Sequence, residues 1–291
     1  MENFSRRNFL KKLAAASAAA AFANPAFALK RRPIDTRETM SRARGNVAGG
    51  LQICDAFGSA KSAAAFSFSV VGDVSGGAAG AEEVIAKNAG LAAFCKNSQN
   101  AKFCAEIPLD KKYQKYLGEI LQNPKCAAVC ARIAKGADVS GGEFLQVLEK
   151  SALCGKPVYI FARQGGGKFA REIADLEIAR AVLEILENDL FKKFAGLKIV
   201  LPNCGIAAIS SLAASGKARE FSDGIFYLVD CGIEREVFEF AKSYANISQF
   251  LFASGGDAEG SLARLEALPL SSEQFKKAAF KNCQSLFAVE K

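Results

Sequence analysis

A (β/α)8 barrel, the TIM-type α/β fold, is what this sequence predicts, and three observations predict it. Eight short runs rich in β-branched and aromatic residues recur along the chain, nearly continuous rather than alternating, as parallel strands buried on both faces read. Amphipathic helical stretches fall between them. The stretch from 29 to 291 has the length such barrels occupy, and no Ser/Pro-rich linker or internal repeat divides it. A doubly wound open sheet is the alternative arrangement of the same elements.

In order, the predicted strands are Pro33–Glu38, Val47–Cys54, Phe66–Asp73, Gly90–Lys96, Pro157–Ala162, Lys198–Pro202, Gly224–Val229 and Gln249–Ala253. The clearest predicted helix is Lys168–Phe194, where Ile173, Leu176, Ile178, Ala181, Val182, Ile185 and Leu186 form an apolar stripe. Others are Ala81–Asn88, Ile206–Ser215, Glu234–Tyr244 and Glu273–Lys281. The stretch 100–151 suits this rhythm poorly. It reads as an elaborated connection between the fourth and fifth strands, with Cys126 and Cys130 one helical turn apart. The expectation is one domain, 29–291, behind a leader of residues 1–28.

That leader carries an address. Ser5-Arg6-Arg7-Asn8-Phe9-Leu10-Lys11 matches the twin-arginine signature, and a mild, mostly alanine stretch runs from Leu13 to Phe22. Asn24-Pro25 then breaks the helix, and Ala26-Phe27-Ala28 supplies the small-x-small site that a signal peptidase prefers. The expected partner is the twin-arginine export machinery, the expected location the periplasm. No other stretch approaches 18 uninterrupted apolar residues, so no membrane span is expected after cleavage at Ala28.

Composition narrows the chemistry. Half of the residues are hydrophobic and 23% are charged, ordinary for a chain with a core. The net charge is +8, of which the leader's four Arg or Lys and one Glu contribute three. A mildly basic remainder with no Trp and 5 Tyr argues against a nucleic-acid partner. There is no histidine, which excludes His-based triads, His general bases and the usual His-rich zinc sites together. The nine cysteines are irregularly spaced and too sparse for a disulfide scaffold.

Two glycine-rich segments imitate nucleotide motifs. The run from Gly72-Asp73 to Gly80 follows a predicted strand, but its glycines miss the dinucleotide register and the next strand ends without an acid for a ribose. Gly165-Gly166-Gly167-Lys168 is followed by Phe169, where a phosphate loop needs a hydroxyl. Cys95, Cys204 and Cys231 fall near the C-terminal ends of predicted strands, the active-site face of a barrel, although buried cysteine is the simpler account of each.

Several segments, taken in order, resemble the amidohydrolase-related family of metal-dependent hydrolases. Pro33-Ile34-Asp35-Thr36-Arg37-Glu38-Thr39 is similar to its opening Ile-Asp-x-His-x-His strand. Pro157-Val158-Tyr159-Ile160-Phe161 resembles its fifth strand, which ends in histidine. Leu197-Lys198-Ile199-Val200-Leu201-Pro202-Asn203-Cys204-Gly205 resembles its Leu-Lys-Ile-Val-Leu-Pro-His-Cys-Gly segment. Phe252-Ala253-Ser254-Gly255 resembles its last strand, Phe-Gly-Ser-Asp, and Asn282 to Phe287 its closing helix. The resemblance implies a TIM-type barrel that hydrolyses or decarboxylates small substrates with Zn²⁺ or another divalent metal.

At the ligand positions the resemblance breaks. Histidine is replaced by Arg37, Thr39, Phe161 and Asn203, and the last aspartate by Gly255; Asp257 lies two residues farther on. A zinc ion needs about three or four N, O or S donors, so no cofactor is expected. The expectation is a pseudoenzyme whose mouth binds a small anion through Arg37 and Asn203. The alternative is an active hydrolase or decarboxylase using carboxylates such as Glu38, Asp73 and Asp230, or the thiols Cys204 and Cys231, with Asp257 a further pocket residue.

Overall fold

A computed structural model of the chain describes residues 52–73, 80–139, 141–163, 168–214, 220, 223–230 and 233–288. Eight strands stand in sequence order, each parallel to the next. They are β1 Cys54–Gly58, β2 Phe68–Val71, β3 Ala101–Glu106, β4 Cys126–Ile133, β5 Val158–Ala162, β6 Ile199–Leu201, β7 Ile225–Val229 and β8 Phe250–Phe252. Outside them lie α1 Ala81–Lys96, α2 Gln114–Gln122, α3 Gly142–Leu153, α4 Ala170–Glu187, α5 Leu190–Lys193, α6 Ile206–Ala214, α7 Arg235–Tyr244 and α8 Ala258–Ala267. Two short closing helices, α9 Ser272–Lys276 and α10 Asn282–Phe287, end the described chain. The TIM-type barrel is the fold.

Five predicted strands are present, as β2 and β5 to β8. Gly90–Lys96 is not a strand but the end of α1. Its Leu, Ala and Lys are good helix formers, and Glu82 and Glu83 at the start with Lys96 at the end suit the helix dipole. The stretch 100–151 is no elaborated connection, since it holds β3, α2, β4 and α3, two ordinary barrel units. Cys126 and Cys130 accordingly lie on strand β4 rather than a helix turn. Pro33–Glu38 lies outside the described residues, and the eight strands are complete without it; of Val47–Cys54, only Cys54 belongs to β1.

Strand side chains divide between two cores. Residues such as Phe103, Ile133, Ile160, Ile199, Tyr227 and Phe252 face outward and pack under the helices. Cys54, Ala56, Phe68, Val70, Cys104, Ala128, Cys130, Tyr159, Val200, Leu228, Leu251 and Ala253 face inward and fill the barrel. Cys283, Leu286 and Phe287 of α10 join that inner core near the strand N-termini, where the Phe68 and Phe287 rings lie 6.4 Å apart. That end is therefore closed, and the C-terminal end is the mouth. No helix among the described residues is long and apolar enough to cross a membrane.

The ring is joined differently at one place. Neighbouring strands from β1 to β8 share backbone ladders. Between β8 and β1 the join is instead made by the Gly255 N–H donating to the Phe57 carbonyl at 3.0 Å and by the side chain of Asp55.

Candidate functional site

The mouth is built on a bulge. Asp55 pairs with Ser69 and Gly58 with Val71, so Ala56 and Phe57 together oppose Val70. The extra residue lets both Ala56 and Phe57 join the inner core. The Phe57 ring lies 5.5 Å from Tyr159 and 5.2 Å from Phe161, so three aromatic rings form the floor of the mouth. Tyr159 is fixed there because its hydroxyl donates to the Ala56 carbonyl at 2.6 Å, and burial pushes its phenol well above the usual range. Gly72 is required beneath this floor: a Cβ there would lie 2.4 Å from the Phe57 ring.

One wall is a charged bridge. The Arg132 Nε at the end of β4 meets Glu106 Oε2 at the end of β3 at 2.7 Å, with side chains only 10% and 15% exposed. A second guanidinium nitrogen donates to the Asp73 carbonyl at 2.8 Å, and the group sits 5.3 Å from the centre of the Phe161 ring. The Asp73 carboxylate pairs with Lys87 of α1 at 3.1 Å. Asn88 braces the end of β3 by accepting from the Glu106 N–H and donating to its carbonyl.

The opposite wall centres on Asn203, just beyond β6, in the left-handed region at φ 50°, which Asn tolerates better than most residues. Its amide oxygen accepts from the Arg171 guanidinium at 2.7 Å, and its nitrogen donates to Asp175 Oδ1 at 2.8 Å. Burial pushes the Asp175 carboxyl up, Asn203 and Arg171 pull it back, and the charge of Asp230 pushes it up again.

At the rim, Asp55 is fully buried between β1 and β8. Its Oδ1 accepts from the Ser254 N–H at 2.8 Å and the Phe57 N–H at 3.2 Å, and its Oδ2 from the Ser254 hydroxyl at 2.6 Å. The Ser62 hydroxyl oxygen lies 3.1 Å from that of Ser254. Burial outweighs these donors and pushes the Asp55 carboxyl up to about 6. A raised carboxyl favours the protonated native state, so its contribution to stability is complete below about pH 4 and is lost as pH rises through 6. Asp55→Asn keeps the acceptor without the charge. Its stability relative to the parent, measured by urea unfolding at pH 4 and pH 7, is expected to shift in its favour by roughly 3 kcal/mol.

The sequence-based candidates divide accordingly. Phe161, Asn203, Asp73 and Asp230 do stand at strand ends around the mouth. Gly255 lies there too, but only its backbone acts. Asp257 is spent as the N-cap of α8, accepting from the Gly260 N–H at 3.0 Å. Cys95 sits buried in α1, in the outer core with Cys126 at the N-terminal end of β4, not at the C-terminal end of a strand. Arg37, Glu38, Thr39, Cys231 and the leader's Arg6, Arg7 and Ala28 lie outside the described residues, as does the side chain of Cys204.

The first-strand positions of the resemblance, Arg37 and Thr39, lie outside the described residues, so the fit to a metal rests on Phe161, Asn203 and Gly255. The residues do not fit a divalent metal, which needs three or four donors. Phe161 is a hydrocarbon, Gly255 has no side chain, and Asn203 is engaged at both amide atoms. Among the described residues no three His, Cys, Asp or Glu side chains are grouped as a metal would require.

Sequence reasoning missed Glu106, Arg132, Asp55 and Asp175. For the first two a signal existed: Ala101–Glu106 ends on a charged residue, and Cys126–Ile133 carries Arg132 next to its last position after an apolar run.

No family model and no curated protein matches the chain. Solved structures do match it in fold. The dihydroxybenzoic acid decarboxylase of Polaromonas sp. JS666, which holds manganese and the inhibitor 2-nitroresorcinol, aligns over 94% of this chain and 92% of its own, with a TM-score of 0.63 and 14% identity. The 5-carboxyvanillate decarboxylase of Novosphingobium aromaticivorans, also with manganese, aligns over 98% and 94%, with a TM-score of 0.64 and 10% identity. The 5-carboxyvanillate decarboxylase of Sphingomonas paucimobilis aligns over 77% and 80%, with a TM-score of 0.63 and 12% identity. What these likenesses share with the chain is the fold, a (β/α)8 barrel.

Proposed function

We propose that this chain is an exported, divergent relative of the metal-dependent decarboxylase barrels that has given up their metal-centred reaction and binds a small anion at its mouth. One observation carries the reading: Phe161, packed against the Phe57 and Tyr159 rings in the floor of the mouth, stands where the resemblance calls for a metal-binding histidine. The anion is supported by the cations at the same end. Arg163 follows β5 and is exposed, and Arg171 hydrogen-bonds the neutral Asn203 amide, leaving a guanidinium fork for a carboxylate or phosphate. The leader from Arg6-Arg7 to Ala28 supports export through the twin-arginine machinery to the periplasm.

Calorimetry on the purified protein is the test, with Mn²⁺, Zn²⁺, benzoate and inorganic phosphate as probes. No stoichiometric metal binding is expected, and one anion should bind and lose at least tenfold in affinity in Arg171→Ala, the loss of a charged hydrogen bond. One metal bound per chain sinks the reading. For export, the periplasmic protein should begin at Leu29.

A second reading is favoured by Asp175, whose carboxyl burial pushes up while Asn203 holds it in place: a metal-free enzyme using it as acid or base. Turnover of a carboxylated aromatic that disappears in Asp175→Asn would decide for it.

A further inference from the structure

The inner core holds a feature the mouth does not use. Cys54 opens β1 and points into the barrel, and Cys283 lies on α10, which closes the strand N-terminal end. Both are free thiols with no solvent exposure, and their side chains are within hydrogen-bond reach of one another. The neighbour of Cys283 holds it in place: Asn282 donates from Nδ2 to the Ile247 and Phe250 carbonyls, each at 2.8 Å. Cys283 is thereby fixed to the start of β8, beside the strand that carries Cys54. The contact is fixed from both sides, by β1 and by the Asn282 anchor.

We propose that Cys54 and Cys283 form an oxidisable dithiol, which closes into a disulfide joining the first strand to the last helix. The oxidant is a disulfide, borne by a small thiol or by a dithiol–disulfide oxidoreductase of an oxidising compartment. One of the two thiolates attacks a sulfur of that oxidant and expels its first thiol. The other then attacks the mixed disulfide and expels the second. The Cys54–Cys283 bond forms, the oxidant's S–S bond breaks, two electrons pass to the oxidant, and the two cysteine protons end on the two released thiols. Because burial keeps Cys283 well above the usual thiol range, the first attack waits on α10 lifting from the barrel. Oxidation is therefore slow in the native protein and faster in mild denaturant.

The bond closes a loop spanning nearly all the described chain, the case in which a cross-link constrains the unfolded state most. The proposal is independent of the anion reading; export bears only on where the oxidant is met. The test uses the full chain, reduced and then incubated with glutathione disulfide, once in buffer and once in sub-denaturing urea. It is then alkylated and digested without reductant. The expected result is a peptide containing Cys54 linked to one containing Cys283, a 2 Da mass loss, and a rise in Tm of about 5–10 °C. Cys283→Ala and, separately, Cys54→Ala should abolish both the link and the rise, while Cys104→Ser keeps them. Cys54 and Cys283 both alkylated after the urea incubation, or Cys54 linked to another cysteine, overturns the proposal.

Discussion

Replacing Asp55 with alanine is expected to cost about 3–5 kcal/mol of unfolding free energy at pH 5, and urea unfolding followed by far-UV circular dichroism measures it. Asp55 does a ladder's work at the one place where the ring has none. Its two oxygens satisfy the Ser254 N–H, the Ser254 hydroxyl and the Phe57 N–H in a fully buried setting. Alanine leaves two backbone donors without partners, each worth about 1–3 kcal/mol, and opens a small cavity besides. The pH matters. At pH 5, with its carboxyl near 6, Asp55 is largely protonated, and the desolvation that weakens it at neutral pH is absent. The loss in Asp55→Ala should therefore shrink between pH 5 and pH 7, and a loss under 1 kcal/mol at pH 5 would show that the join depends on Gly255 alone. Gly58 is bound to this arrangement, since a Cβ there would lie 2.0 Å from Asp55 Oδ2.

Arg132→Ala is expected to be as damaging, at about 3–5 kcal/mol, for an electrostatic reason. Glu106 is only 15% exposed, and its carboxylate faces the Arg132 Nε at 2.7 Å. Without the guanidinium a nearly buried charge loses its counter-ion, while the Asp73 carbonyl loses a donor and the Phe161 ring its cation. The penalty belongs to the abandoned Glu106 more than to the lost attraction. A double variant, Arg132→Met with Glu106→Gln, should therefore recover more than half of it, a coupling readable from the four unfolding curves of the cycle. Equal losses in the single and double variants would refute that account.

How much of this was legible in the sequence varied with residue type. The strands β2, β5, β6, β7 and β8 are runs of Val, Ile, Leu, Phe and Tyr, whose pattern is unambiguous. By contrast β4 reads Cys-Ala-Ala-Val-Cys-Ala-Arg-Ile, and its alanines suggest a helix until the barrel around them is known. Strand β1, with Asp, Ala and Gly in five residues, has little intrinsic preference for its conformation; its neighbours and the Asp55 hydrogen bonds impose it. The site inherits these errors. Phe161, Asn203 and Gly255 can be placed near the mouth from the sequence because their strands are legible. Glu106 and Arg132 were hidden in a stretch taken for a connection, and Asp55 lay one residue past a predicted strand end. Asp175 is on a helix, and only the fold brings it to the mouth.

The join between β8 and β1 also determines how the molecule bears load. Seven junctions in the ring are ladders that spread a pull across several bonds acting together. The eighth concentrates it on one carboxylate and one backbone bond, Gly255 to Phe57. A tension that widens the ring accumulates at that clasp and parts it first. What remains is a curved sheet with every ladder still intact, able to close again without re-registering a single strand.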